Sequence, residues 1–144
     1  MCIGGPYIMG LIQSCAERIA SAVVFQSIGL DDNRQAFFDM FDSWANELQE
    51  TFPSMDTQSW ESFRHNMFGG DFLFNVSENF VQQCQTPLLV LMGKDIYHPE
   101  STSRKIAELA PAAKFVEHWK EPENIATGKH AVEKFLAEHT PDKI

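Results

Sequence analysis

The side chains able to do covalent or acid–base chemistry in this chain are few and scattered. Cysteines stand at Cys2, Cys15 and Cys84, and histidines at His65, His98, His118, His130 and His139. None falls at the short spacing by which cysteine and histidine pairs hold zinc, and an odd number of cysteines makes no disulfide framework. No glycine-rich phosphate loop occurs either, so no metal and no cofactor is implied. Cys2 is the most suggestive position. Pro6 can open a helix at its first turn, and a thiol just ahead of a helix faces unpaired amides and the positive end of the dipole, which favour the attacking thiolate. Cys2 also reads as a small, partly exposed residue near the start of the chain. Asp95 has His98 three residues on, a spacing that suggests a cap or loop hydrogen bond ahead of Pro99 rather than a catalytic role for His98. His118, at the end of a strand-like run, is either a base or an ordinary strand-end histidine. His130 and His139 fall in a last helix and, like His65, read as surface residues.

These side chains must be carried by elements that the apolar pattern locates. Ile8, Leu11, Ile12, Cys15 and Ile19 recur at helical spacing after Pro6, predicting a helix to about Ala20. The run Ala22–Ser27 comes next as a short buried strand. Phe37, Phe41, Trp44, Leu48 and Phe52 then predict a helix from Asn33 to Phe52, stopped by Pro53. A second helix over about 57–68 has Asp56 as its N-cap and Gly69-Gly70 at its end. The sequon-like Asn75-Val76-Ser77 reads as the start of a third, short helix to about Gln83.

Pro87-Leu88-Leu89-Val90-Leu91-Met92-Gly93 is the clearest strand, a nearly continuous apolar run of the kind buried on both faces of a parallel sheet. Pro99 opens a helix to about Ala110, Lys114–His118 makes another strand, and Pro122 opens a last helix carrying Ile125, Val132, Phe135 and Leu136. Strands alternating with helices imply right-handed crossovers and a parallel α/β sheet of about three strands. Residues 1–144 form one domain in this reading, with 33–83 as a helical insertion lying over the sheet.

On this framework the opening residues Met1-Cys2-Ile3-Gly4-Gly5-Pro6 resemble the second half of the α/β-hydrolase nucleophile elbow, G-x-nucleophile-x-G, with Cys2 as nucleophile and Gly4 as closing glycine. The passage from Glu17-Arg18-Ile19 into Ala22-Val23-Val24-Phe25 and the helical, cap-like stretch after it are similar to the segments C-terminal to the elbow in that family. Pro87 to Pro99 resembles the strand and loop that deliver the triad acid, with Asp95 four residues before Pro99. The resemblance covers nearly the whole chain but only the part of the family's fold from the elbow onward. The leading glycine and the strand before it have no counterpart here.

The resemblance implies a Cys2 nucleophile, an oxyanion donor in the backbone N–H of Ile3, Asp95 as the orienting acid and His118 as the imidazole. His118 comes early for that role, because the small-residue loop that precedes the family's histidine is missing. The implied substrate is a small molecule with an ester, thioester, lactone or related acyl bond. With only three strands, the chain is expected to be weakly active or inactive alone. The alternative is a non-catalytic module, or a half-protein that pairs with a separate N-terminal half; the open sheet edge would invite such pairing, or a homodimer. An N-terminal nucleophile with Cys2 exposed by methionine removal is the last-ranked reading, since such hydrolases are built on stacked antiparallel sheets.

Composition bounds the partners. The 144 residues carry 11 lysines and arginines against 20 acidic residues, a formal charge of −9, with no basic stripe to meet nucleic acid or an anionic membrane. Ile3 to Ile12 is apolar but lacks a cationic lead, and no stretch reaches the roughly 18 to 20 apolar residues of a membrane span. A reducing, cytoplasmic setting is the default expectation.

Overall fold

The computed structural model describes residues 1–141. In chain order the elements are α1 (Gly4–Cys15), a 3₁₀ turn (Ala16–Arg18), β1 (Ala22–Phe25), α2 (Arg34–Leu48), α3 (Thr57–Phe68), α4 (Glu78–Gln83), β2 (Leu88–Leu91), α5 (Glu100–Leu109), β3 (Ala113–Val116) and α6 (Ile125–His139). The three strands form one parallel sheet in the order β1-β2-β3, with Ala22 beside Leu88 and Leu88 beside Ala113.

β2 is central because its sequence leaves it no other place. All four of its residues are buried, and the two-residue period of a strand sends Leu88 and Val90 to one face and Leu89 and Leu91 to the other. Leu88 and Val90 pack with Met9 and Ile12 of α1, Val81 of α4 and Ile106 of α5. Leu89 and Leu91 pack with Phe135 of α6, Val23, Phe25 and Val116. The result is a helix–sheet–helix sandwich, the arrangement expected when crossover helices cover both faces of a parallel sheet.

The helices between β1 and β2 build a second apolar cluster from Phe37, Phe41 and Ala45 of α2, Phe68 of α3, Phe74 and Ile28. Their rings meet edge-on or stacked, as in Phe37–Phe68 with centroids 5.1 Å apart and Phe37–Phe74 at 4.9 Å. Ile28 follows β1 and Tyr97 follows β2, so this cluster rests on residues beyond the C-terminal ends of the strands. Arg64 bridges α3 to α2 by pairing with Asp42 and lying over the Phe38 ring.

Element ends depart from the sequence expectation in several places: β1 ends at Phe25 rather than Ser27, β3 runs from Ala113 to Val116 and leaves out His118, and α6 begins at Ile125 rather than Pro122. α1 stops at Cys15 and tightens into the 3₁₀ turn before reaching Ala20. α2 ends at Leu48 rather than Phe52, because Pro53 disfavours helical backbone at the residue before it, and Phe52 instead lies in a turn, half exposed. Asn75 does not start α4; Ser77 caps that helix, accepting from the Phe80 N–H, while Asn75 donates to the Pro6 carbonyl at 2.7 Å. Asp56 caps α3 as expected, accepting from the Ser59 N–H at 2.7 Å.

Candidate functional site

The chain turns from strand pairing to helix within three residues at its start. Cys2 forms a parallel bridge with Ser27; its N–H donates to the Phe25 carbonyl at 3.2 Å, and its own carbonyl accepts from Ile28 at 3.4 Å and from Gly5 at 2.9 Å. α1 begins two residues later. To make that turn Cys2 takes φ 60°, the left-handed region that costs a non-glycine residue on the order of 1 kcal/mol or more. The first turn of α1 contains no acidic side chain to offset its positive end. Among the described residues the Ile3 N–H has no protein acceptor. Cys2 and Ile3 are half-buried against the aromatic cluster.

Closeness at this turn is enforced at Gly5, not at Gly4. A Cβ on Gly5 would lie 2.0 Å from Ser27 Oγ and 3.0 Å from its Cα, whereas a Cβ on Gly4 would meet nothing within 4 Å. The closing glycine assigned to Gly4 from the motif is thus sterically free, and its neighbour is the one that lets α1 approach the end of β1.

Asp95 sits in the loop after β2. Its Oδ1 accepts from the backbone N–H groups of Tyr97 and His98, each at 3.0 Å, and meets His98 Nδ1 at 2.7 Å. Partial burial alone would raise the carboxyl's pKa, but the side-chain and backbone hydrogen bonds from His98 outweigh it and hold the group below the ordinary carboxylate value. His98 Nε2 is buried and has no partner among the described residues. With Nδ1 directed at a carboxylate, the neutral imidazole keeps its proton there and presents the Nε2 lone pair.

The loop is fixed from several sides. The Gly93 N–H donates to Ser103 Oγ of α5 at 3.0 Å, and a Cβ on Gly93 would stand 2.4 Å from the His98 carbonyl oxygen. Asn33, buried, donates through Nδ2 to the carbonyls of Gly29 at 3.1 Å and Ile96 at 2.6 Å, and Ser101 Oγ donates to Asp31 at 2.7 Å. The loops after β1 and β2 are thereby stitched together. Asn33 and Ser103 escaped the sequence reading: Asn33 reads only as a helix start and Ser103 falls inside the helix that Pro99 opens, and nothing in their local pattern signals a long-range bond.

Three of the solved structures that this chain resembles are informative. Rv0554 from Mycobacterium tuberculosis superposes with a TM-score of 0.65 at 15% identity, covering 97% of this chain and 64% of that one. A putative non-heme bromoperoxidase, BpoC, from M. tuberculosis H37Rv gives 0.60 at 19% identity, over 98% and 66%. A meta-cleavage product hydrolase, CumD, from Pseudomonas fluorescens IP01, solved as the S103A mutant with acetates, gives 0.60 at 18% identity, over 95% and 62%. The fold is the α/β-hydrolase fold. The chain spans a little under two thirds of each neighbour's length. No protein-family model and no curated protein matches the sequence.

On this α/β-hydrolase fold, Cys2, Ile3 and Asp95 all lie just beyond the C-terminal ends of β1 and β2 or beside them, the end of an open α/β sheet where ligands bind. His118 is arranged differently. It comes after β3 with a side chain 63% exposed, between Glu117 at 3.8 Å and Glu121 at 3.7 Å. The imidazole that Asp95 holds is that of His98, not that of His118. The local hydrogen bond expected between Asp95 and His98 is present. His139 Nδ1 lies 2.8 Å from the Phe135 carbonyl within α6. Among the described residues, no three His, Cys, Asp or Glu side chains gather as a metal site, and no helix is long and apolar enough to cross a membrane.

Proposed function

We propose that this chain carries the nucleophile and acid portion of a hydrolase that cleaves an ester, thioester, lactone or related acyl bond of a small molecule through Cys2. The observation that carries the reading is the backbone of Cys2: a positive φ between a strand bridge and a helix start, the strand–turn–helix setting in which a nucleophile elbow exposes its side chain. In the proposed reaction the Cys2 thiolate attacks the acyl carbon. The Ile3 N–H receives the developing oxyanion.

An imidazole oriented by Asp95 then takes and returns the proton. His118 is the candidate from the family pattern, whereas the 2.7 Å Asp95–His98 bond and the unpartnered Nε2 favour His98. A panel of p-nitrophenyl esters and thioesters tests the reading. Turnover by the chain, or by the chain with whatever completes its sheet, should disappear in Cys2→Ala. It should fall by about 10²-fold or more in whichever of His98→Gln and His118→Gln removes the base. Turnover that survives in Cys2→Ala would sink the Cys2 assignment.

A second reading is favoured by the outer edge of β1. Among the described residues that edge carries only the Cys2–Ser27 bridge, and beside it an open apolar groove of about 460 Å³ runs between Phe25, Trp119, Ile125 and Val132. In this reading the chain is a hydrolase-fold module whose role is to pair along β1 with a second polypeptide or a second copy. Sedimentation equilibrium measures it directly: a monomer at all concentrations would exclude the homodimer, and Val23→Lys should weaken any dimer that forms.

A further inference from the structure

We propose that two copies of this chain join antiparallel through β1, with Val23 of one opposite Val23 of the other and the α6 faces closing over the seam. The inference rests on the reading in which the chain pairs along β1, and it names the partner as a second copy.

The two edges of the sheet, β1 and β3, are not alike. β3 carries Lys114, whose ammonium pairs with Glu138 of α6, and a lysine on an edge strand discourages further pairing. β1, Ala22-Val23-Val24-Phe25, has neither a charge nor a proline. The Ala22 and Gln26 N–H groups donate inward to the carbonyls of Pro87 and Leu91, so the two-residue period turns the N–H and carbonyl groups of Val23 and Phe25 outward. Cys2 takes the Phe25 carbonyl at the C-terminal end of the strand, which leaves Val23 facing out with both of its groups. In an antiparallel ladder such a residue exchanges both bonds with the one opposite. Two-fold symmetry then fixes the register, Val23 on Val23.

The side chains beside this edge point to the same partner. The apolar groove of about 460 Å³ lies here, between Phe25, Trp119, Ile125 and Val132. Trp119 is held in place, its Nε1 donating to the Met92 carbonyl at 2.8 Å and its ring meeting that of Phe25 edge-on. Ile125, Val132 and Leu136 share one side of α6, with Ile125 56% and Leu136 44% exposed. Lys129 and Glu133 stand at the same groove, one turn apart and opposite in sign. An isologous interface must complement itself, and this face does. In an antiparallel α6 pair, Lys129 of each copy meets Glu133 of the other while the apolar residues meet their own kind. A partner face of one sign would leave Lys129 or Glu133 opposed. On the other face of the sheet α1 has no charged side chain to repel its own copy, and its Tyr7 and Leu11 are exposed.

Sedimentation equilibrium on the whole chain gives the dimer Kd, and cross-linking reads the register. A two-fold axis at residue 23 sets the two Cα atoms about 5.5 Å apart, within disulfide reach. Val23→Cys, in a chain with Cys2 and Cys15 replaced by serine, should therefore form a covalent dimer on mild copper-phenanthroline oxidation. Ile96→Cys, exposed in the loop after β2, should do so at least about tenfold more slowly.

Ile125→Glu should raise Kd by about tenfold or more. Lys129→Glu should raise it by about fivefold, because the interface holds the pair twice, and Lys129→Glu combined with Glu133→Lys should restore it. A folding defect does not repair itself on a second charge change. A monomer at every concentration would overturn the second copy, leaving another polypeptide as the partner in the pairing reading. A dimer that neither cross-links at residue 23 nor weakens in Ile125→Glu would overturn the interface and the pairing along β1 together.

Discussion

At Cys2 the chain is turned by local means: a positive φ, three backbone hydrogen bonds and one glycine that lets helix meet strand. At Asp95 the loop is placed by distant side chains, with Ser103 reaching back from α5 and Asn33 reaching across from the end of β1. The first arrangement stores strain at a single residue; the second distributes the positioning over several partners. A turn whose geometry no neighbour can relax would suit the proposed nucleophile. An orienting acid needs its acceptor atoms aimed, and a hydrogen-bond network does that while tolerating small shifts of any one member.

The largest expected effect breaks the local side of this contrast. Gly5→Val puts side-chain atoms into Ser27 and should lower the unfolding free energy by about 3 kcal/mol or more in a denaturant titration. Gly4→Ala, one residue earlier and facing open space, should be neutral or stabilising by up to about 1 kcal/mol. Equal losses at the two positions would mean that the turn is not as described.

On the distributed side, Asn33→Ala leaves the Ile96 carbonyl without its donor and should cost about 1–3 kcal/mol. Amide exchange should speed up in residues 94–98 while β2 stays protected; protection unchanged in that loop would show that Asn33 does not hold it. Cys2→Gly relieves the positive φ and should raise stability by about 1 kcal/mol while removing the thiol. A destabilised Cys2→Gly would show that the turn is unstrained.

The smallest effect lies in acid. The Asp95 carboxyl is held below its ordinary value of 3.8, so its contribution to stability is fully present above that value and is lost as the pH falls through the lower native value. Asp95→Asn should flatten this part of the acid limb and leave the slope near neutrality unchanged. An identical acid limb in both proteins would show that the His98 hydrogen bonds do not favour the carboxylate.

The sequence alone determined the sandwich. Leu88-Leu89-Val90-Leu91 is apolar at every position, and only burial on both faces of a parallel sheet accommodates that, so β2 had to be central and helices had to cover both sides. Pro53 and Pro99, Asp56 and the spacing of Phe37 and Phe41 marked helices by rules that act within a few residues. The helix after Cys2 was legible for the same reason, since Pro6 marks its first turn.

What only the tertiary structure decided are contacts between residues far apart in the chain. The bond between Asp95 and His98, three residues apart, was legible in the spacing; that His118 stands away from Asp95, between Glu117 and Glu121, was not. That Gly5 rather than Gly4 must be glycine depended on how closely Ser27 approaches, and Asn33 became a tie between loops only because the carbonyl of Ile96, 63 residues away, lies within reach. Local pattern registers periodicity and turn chemistry; it holds no record of which side chain a folded neighbour brings within 3 Å.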